Sequence, residues 1–236
     1  MSMSIIYFNI ISFMLSMLEK VDELLKDMRS LGILGGTFDP IHYGHLIAAE
    51  HVHYEFGLDR ILVVPNANPP HKENSEVLDA DRRYHMVELA IKNNPILELS
   101  SLEMKKQGFS YTVDTVDHYR NQFPGTEIYF ITGADSLFFM DTWKDLRRLV
   151  ELCTFIVVTR PGYSIDRKNE VLEKLPHTLW DKMKQLQIPG LDISSSDIRK
   201  RVAEGKPIKY LLPLQVEEYI LAQGLYRKDG SKSNAE

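Results

Sequence analysis

Short apolar runs that alternate with segments of helical periodicity most constrain how this 236-residue chain can fold. Runs such as 61–64 and 154–159 are β-branched, nearly free of polar residues and too short for typical helices. Such runs are typical of strands buried on both faces of a sheet. Because segments of ten or more residues with helical spacing separate most of them, the pattern predicts βαβ units. We therefore predict an α/β fold with one doubly wound parallel sheet.

From residue 31 onward, the periodicity predicts six strands and six helices. The predicted strands are 31–34, 61–64, 96–99, 127–132, 154–159 and 188–193. The predicted helices are 46–56, 80–92, 112–121, 143–152, 196–203 and 214–223. In a doubly wound sheet, ligands bind beyond the carboxyl ends of the strands, at the point where the strand order reverses. The loops that follow the strands are therefore where functional residues are expected.

The composition excludes several classes of protein. Hydrophobic residues make up 44% of the chain and charged residues 26%, which excludes a disordered chain. The net charge of −5 disfavours wholesale binding to nucleic acid, so no nucleic-acid partner is expected. Cys153 is the single cysteine, so no internal disulfide can form, and a cytoplasmic location is expected. A homo-oligomer is compatible with the sequence.

We predict that residues 1–28 form an N-terminal extension to the domain. Residues 5–18 are apolar but too few to span a bilayer, which takes about 20 residues. No Lys or Arg precedes Lys20, unlike in a signal peptide, and no membrane partner is expected. Residues 18–28 have the spacing of a short amphipathic helix. Either 1–28 is a docking or oligomerisation helix, or translation begins at Met28, which we favour. The domain itself is predicted at 29–228, with a disordered tail at 229–236.

The loop after the first predicted strand carries the strongest functional signal, GGTFDPIHYGH at 35–45. Two glycines let the backbone approach a ligand closely, and a helix N-terminus offers free N–H groups to an anion. His42 and His45 are three residues apart, so both can lie on one face of the first helical turn and donate hydrogen bonds to phosphate. Half of a metal site is the alternative interpretation, although no third ligand stands at an obvious spacing.

A second helix start, ISSSDIR at 193–199, combines serines suited to an N-cap with Arg199, whose guanidinium suits a phosphate. Together the two segments resemble the HxGH and ISSTxIR motifs of the nucleotidyltransferase superfamily, with Ser196 where threonine is common. This resemblance implies a Rossmann-like nucleotidyltransferase fold in one domain.

Five further segments narrow the resemblance. They are PNANPPHK at 65–72, SYTVDT at 110–115, GADS at 133–136 followed by Trp143, RPGY at 160–163 and YLLP at 210–213. In this order they resemble the motifs of bacterial nicotinate-nucleotide adenylyltransferases, and the likeness runs from about Leu31 to Tyr226. It implies that the chain transfers the adenylyl group of ATP to nicotinate mononucleotide in NAD biosynthesis, without a covalent intermediate. Mg²⁺ is then expected to bind through the ATP phosphates, with no metal ligands from the protein.

The same resemblance implies roles for residues at the matching positions. It implies that the catalytic residues are His42, His45 and Arg199. For ATP binding it implies Gly35, Gly36, Thr37, Phe38, Gly133, Asp135, Arg160, Ser195 and Ser196. For nicotinate mononucleotide it implies Asn66, Lys72, Thr112 and Trp143. The residues alone also allow simpler interpretations. Asp135 could be a helix N-cap, Trp143 a half-buried core residue and Lys72 a solvated surface residue.

Other functions compete with this one. Adenylyltransferases for nicotinamide mononucleotide or pantetheine phosphate are the nearest, and the second group shares the HxGH loop and the late serine motif. A non-catalytic nucleotide sensor and a scaffold that docks through residues 1–28 come from different classes. An aminoacyl-tRNA synthetase is disfavoured because the chain is short and acidic and lacks a KMSKS-like loop.

Overall fold

A computed structural model describes residues 28–70, 77–106, 108–165 and 169–227. Nearly all of the predicted N-terminal extension, and the tail at 229–236, lie outside these ranges, so the domain boundaries stay a prediction. The strands are β1 (Ser30–Gly36), β2 (Arg60–Pro65), β3 (Leu97–Leu99), β4 (Glu127–Gly133), β5 (Thr154–Thr159) and β6 (Lys184–Gln187). The α-helices are α1 (Tyr43–Phe56), α2 (Ala80–Ile91), α3 (Thr112–Gln122), α4 (Leu146–Leu152), α5 (His177–Lys182), α6 (Ser195–Ala203) and α7 (Leu214–Ala222). Within the described ranges, three 3₁₀ helices span Glu103–Lys105, Ala134–Thr142 and Leu172–Lys174.

All six strands pair in parallel in the order β3-β2-β1-β4-β5-β6, which confirms the predicted doubly wound sheet. The strand order reverses between β1 and β4, where Leu34 lies beside Ile131. Ligands of doubly wound folds bind at this point, beyond the carboxyl ends of the strands. The Gly35-Gly36 pair and Gly133 end the two central strands here.

Helices cover both faces of the sheet. Neighbouring residues of a strand point to opposite faces, so each central strand contributes to two cores. Leu34 and Ile131 belong to the core beneath α1, α2, α6 and α7. Ile33 and Phe130 belong to a second core beneath α3, α4 and α5. This two-sided burial is why the central strands read as continuous apolar runs rather than as alternating ones.

The last predicted strand is wrong. The chain at 188–193 forms no strand, and β6 lies at Lys184–Gln187 instead. This segment is polar and mostly exposed because it is an edge strand that pairs only with β5, so it carries no apolar signal. The short helix α5 that precedes it also went unpredicted.

The predicted helix 143–152 is wrong in its first turn. A nine-residue 3₁₀ helix, Ala134–Thr142, precedes it, and α4 begins only after Asp145, whose side chain accepts a hydrogen bond from the Arg148 N–H. Ala134, Leu137 and Met140 are buried at two successive spacings of three, which is the period of a 3₁₀ helix. Within the described ranges, no helix combines the length and the apolar character needed to cross a bilayer.

Candidate active site

Two adjoining cavities open at the carboxyl ends of β1 and β4. The first, the α1 cavity, has a volume of about 490 Å³ and is lined by His42 and His45 at the start of α1. The second, the α3 cavity, has a volume of about 280 Å³ and is lined by Ser110 and Thr112 at the start of α3. Both cavities share four lining residues: Gly35, Gly36, Thr132 and Ser136. Molecules bound in the two cavities would therefore meet beside the switch point of the sheet.

The two histidines of the first loop stack on each other, with ring centroids 3.7 Å apart and planes inclined by 26°. His42 is the N-cap of α1, so the helix begins three residues before the predicted start at residue 46. The glycine of the motif leaves room for this stack, because a Cβ on Gly44 would lie 3.0 Å from the His42 ring. Gly36 is constrained in the same way, since its Cβ would lie 2.9 Å from the ring of Phe38.

Both imidazoles are held neutral. Burial, reinforced by the positive charge of Arg160, lowers the pKa of His42 from 6.5 to about 4. Burial and the adjacent His42 ring hold the pKa of His45 well below its usual range. The His42 backbone N–H donates to Nδ1 of His45 at 3.2 Å, so the proton of the neutral His45 ring resides on Nε2. His45 therefore offers one N–H donor to the α1 cavity without a competing positive charge.

Two helix N-termini converge at this cavity. The 14-residue helix α1 begins beside His42, and α6 begins after Ser194, whose hydroxyl accepts from the Asp197 N–H at 3.1 Å. Ser195 donates to the carbonyl of Pro40 at 2.8 Å and so attaches α6 to the first loop. Converging helix N-termini favour anions such as phosphate.

Arg199 does not line this cavity and instead contacts the first loop. Its Nη1 donates to the carbonyl of Asp39 at 2.7 Å, and its Nη2 donates to Ser196 Oγ at 3.3 Å. The carboxylate of Asp39, which is 3% exposed, lies 3.9 Å from the same guanidinium and accepts from the Tyr226 hydroxyl at 2.7 Å. In this arrangement Arg199 joins α6 to the first loop.

The α3 cavity combines an aromatic wall with polar groups. Trp143 packs edge-on against Phe130, with centroids 5.7 Å apart, and is half-buried. Asn66 Oδ1 is buried and has no hydrogen-bond partner among the described residues. At the rim, Lys144 Nζ lies 4.4 Å from the centroid of the Tyr111 ring. A flat ring with polar substituents fits such a lining.

The structure brings most of the predicted site residues together. Those that line the α1 cavity are Gly35, Gly36, His42, His45, Gly133, Asp135, Arg160 and Ser195. Those that line the α3 cavity are Gly35, Gly36, Thr37, Asn66, Thr112 and Trp143. Three others line neither cavity: Phe38, Ser196 and Arg199. The Phe38 ring is buried in the core, so only its backbone can face a ligand. Lys72 lies outside the described residues.

Known proteins share this sequence and this fold. The cytidylyltransferase-like family model matches residues 33–201. A Moorella thermoacetica protein named "Probable nicotinate-nucleotide adenylyltransferase" is 50% identical over 198 residues, covering 84% of this chain and 91% of its own. A protein of the same name from Thermoanaerobacter sp. is 48% identical over 200 residues, covering 84% and 95%. The chain belongs to the nicotinate-nucleotide adenylyltransferase family.

A solved structure agrees with this assignment. The Plasmodium falciparum nicotinic acid mononucleotide adenylyltransferase, complexed with NaAD, superposes with a TM-score of 0.68 at 27% identity. The match covers 84% of this chain and 97% of that one. The fold and the family resemblance predicted from the sequence motifs are thereby confirmed.

Sequence reasoning assigned no binding role to several residues that line the cavities. Tyr163, 38% exposed, lines the α1 cavity together with Leu191. Lys144 and the buried carboxyl of Glu103 line the α3 cavity. Burial raises the pKa of Glu103, and the hydrogen bond that Thr115 Oγ1 donates to Glu103 Oε1, at 2.6 Å, partly offsets that rise. Lys144 directly follows the predicted site residue Trp143, and this position could have identified it from the sequence. Glu103 lies in a polar stretch that reads as an ordinary loop.

The buried His42 imidazole predicts a pH dependence of stability. Its pKa is lower in the folded chain than in the unfolded one, so the unfolded state binds more protons between about pH 4 and 6.5. The free energy of unfolding should therefore fall as the pH falls through this window. In His42→Asn this fall should be smaller by about 1–3 kcal/mol, as followed by urea unfolding at pH 7 and pH 4.5.

The matched control is His51→Asn on the same helix, outside both cavities. It should keep the pH dependence of the wild type. If His42→Asn and wild type lost the same stability on acidification, the buried neutral state of His42 would be refuted.

Proposed function

We propose that the chain transfers the adenylyl group of ATP to nicotinate mononucleotide, giving deamido-NAD and pyrophosphate. The observation that carries this proposal is the pair of adjoining cavities with a shared edge at Gly35, Gly36, Thr132 and Ser136. One cavity has the helix N-termini and neutral N–H donors that a polyphosphate needs. The other has an aromatic wall suited to a flat ring. The family supports the same reaction.

ATP is assigned to the α1 cavity. Its purine would lie against apolar and aromatic groups such as Ile47, Tyr163 and Leu191. Asp135, exposed at the carboxyl end of β4, is placed to accept from ribose hydroxyls. The triphosphate would extend toward His42, His45 and the start of α6. Arg160 adds a positive charge on this side, although its side chain also pairs with Asp192 at 3.2 Å.

Nicotinate mononucleotide is assigned to the α3 cavity, with its ring against Trp143. The acid form is favoured over the amide by the charges at the rim. Lys144 lines this cavity and pairs with Asp114 at 3.4 Å. Lys106, which does not line it, pairs with the same carboxylate at 3.1 Å, so the three side chains together carry one net positive charge. The pairing also holds the pKa of Asp114 below its usual range, against the opposing effect of burial. A ring carboxylate beside this cluster would be stabilised, whereas a neutral amide would gain little.

In the reaction an oxygen of the mononucleotide phosphate attacks the α-phosphorus of ATP in line. The new phosphorus–oxygen bond forms as the bond to the bridging oxygen of the pyrophosphate breaks, and no covalent enzyme intermediate is needed. The chain contributes position and charge stabilisation. His45 Nε2–H, with the backbone N–H groups of the first loop, would donate to the α-phosphoryl oxygens as negative charge builds there. Arg199 would hold the first loop through the Asp39 carbonyl, and its positive charge would help to stabilise the triphosphate.

Mg²⁺ is proposed to accompany ATP. Within the described ranges no group of three or more His, Cys, Asp or Glu side chains is arranged to hold a metal ion. The carboxylate of Asp39 is already engaged by Tyr226 and Arg199. The donor set therefore suits an ion carried by the phosphate oxygens, where it neutralises charge on the leaving pyrophosphate.

We also propose that the reaction takes place in the cytoplasm and that no nucleic acid takes part. The first proposal rests on the single free cysteine, Cys153, which is buried and whose thiol pKa burial raises to about 12. A reducing compartment suits a chain that cannot form an internal disulfide. The second rests on the net charge of −5.

The direct test is pyrophosphate release from ATP and Mg²⁺ with three acceptors at equal concentration. They are nicotinate mononucleotide, nicotinamide mononucleotide and phosphopantetheine. The proposal expects a kcat/KM for the acid at least tenfold above that for the amide, and no turnover with phosphopantetheine. Preference for the amide would refute the charge argument at Lys144, and preference for phosphopantetheine would refute the assignment of the α3 cavity.

His45→Ala should lower kcat by about 10²–10³-fold with little change in either KM, because it removes one donor to the developing charge. His51→Ala, on the same helix but outside both cavities, is the control and should keep the wild-type kcat. An unchanged kcat in His45→Ala, measured by steady-state pyrophosphate release, would contradict the role given to this ring.

Trp143→Ala should raise KM for nicotinate mononucleotide by about tenfold or more and that for ATP by less than twofold, because stacking on the ring is lost. Trp143→Phe should recover most of the affinity, since it keeps an aromatic face. Equal increases in both KM values would instead assign Trp143 to the core, where it packs against Phe130.

A further inference from the structure

A buried arginine outside both cavities connects the loops that carry them. Arg83 lies on α2 and is 1% exposed, the largest side chain among those fully buried in the described chain. Its guanidinium donates four hydrogen bonds, all to backbone carbonyls. Nε donates to Leu78 at 2.7 Å, Nη1 to Thr37 and Asn66 at 2.7 Å each, and Nη2 to Ala67 at 3.0 Å.

These carbonyls belong to segments far apart in the chain. Thr37 lies in the loop after β1, five residues before His42, and it lines the α3 cavity. Asn66 and Ala67 lie in the loop after β2, and Asn66 lines the α3 cavity. One planar group therefore holds the loop of the proposed phosphate site against the loop of the proposed acceptor site.

The backbone of Leu78 links the positive charge of Arg83 to the negative charge of Asp39. Leu78 accepts from Arg83 through its carbonyl, while its N–H is 3.5 Å from Asp39 Oδ2. Burial lowers the pKa of Arg83, and the negative charge of Asp39 opposes that effect. Burying a guanidinium is strongly unfavourable unless its donors are satisfied. A hydrophobic residue could fill the same volume, but it could not donate to the four carbonyls that Arg83 bonds. We therefore attribute the presence of an arginine at this position to these four hydrogen bonds.

We infer that Arg83 is a positioning residue, which sets the distance between the mononucleotide phosphate and the α-phosphorus of ATP. This inference rests on the proposed function. In-line attack tolerates little misplacement of the reacting atoms, and a shift of about 1 Å can cost on the order of 100-fold in rate. Arg83 touches neither substrate, so its loss should act on the transfer step rather than on the binding of either substrate alone.

Lysine cannot replace this group. Its ammonium has three donors on one atom, whereas the guanidinium spreads five donors over a rigid plane. Arg83→Lys keeps the charge but cannot reach carbonyls on both loops at once. Arg83→Gln removes the charge and keeps part of the hydrogen bonding. The two variants together separate the charge from the fork geometry.

The experiment compares wild type, both variants and Val87→Ala, which removes fully buried apolar atoms one turn along the same helix. For each we would measure Tm, kcat for pyrophosphate release, and the Kd of ATP and of nicotinate mononucleotide separately by calorimetry. We expect kcat to fall by about 30-fold or more in Arg83→Lys and Arg83→Gln, with each Kd within about threefold of wild type. Val87→Ala should lower Tm and keep kcat within about twofold.

Three results would overturn the inference. The first is a kcat within threefold of wild type in Arg83→Lys, and the second is an equal loss of kcat in Val87→Ala at a similar Tm. The third is that neither Arg83 variant folds at 10 °C with ATP present, which would make Arg83 a determinant of the whole fold. If wild type released no pyrophosphate with any acceptor, the proposed function would fail first, and this inference with it.

Discussion

At the centre of the sheet, β1 and β4 run side by side while the chain leaves them toward opposite faces. After β1 it enters α1, which packs on one core, and after β4 it enters the 3₁₀ helix 134–142 and then α4, which pack on the other. Two connections that diverge in this way leave a cleft at the carboxyl ends of the strands. The positions of the residues that line the two cavities depend on that divergence, because it brings together segments that are remote in the chain.

Burial then determines the chemistry of the cleft. The stacked rings of His42 and His45 are neutral because the protein interior penalises their charged forms. Neutral donors combined with helix N-termini can stabilise charge that develops during a reaction without binding a resting anion too tightly. Behind the cleft, the ionic groups of Asp39, Arg83 and Arg199 use backbone carbonyls and one another as partners. These contacts join the first loop to α2 and α6.

Much of the fold was predictable because the central strands and the long helices are regular. The strands at 61–64, 127–132 and 154–159 were placed within a residue or two of their bounds. The failures share a cause. The edge strand β6 has no buried face, and the 3₁₀ helix 134–142 follows a period of three that an α-helical pattern does not detect. Hydrophobic periodicity detects an element only when the element has a buried face and a regular α or β period. An exposed strand or a 3₁₀ helix therefore cannot be predicted from it.

The sequence by itself determined the parallel α/β architecture, the family and the segments that form the cleft, because these depend on local apolar patterns and contiguous motifs. Only the tertiary structure decided which side chains line the two cavities. It buried the Phe38 ring in the core and bonded Arg199 to the carbonyl of Asp39 in the first loop. It also buried Arg83, which reads in the sequence as one polar residue of an amphipathic helix. Where a side chain points depends on packing between segments that are distant in the chain, and a linear pattern does not contain that information.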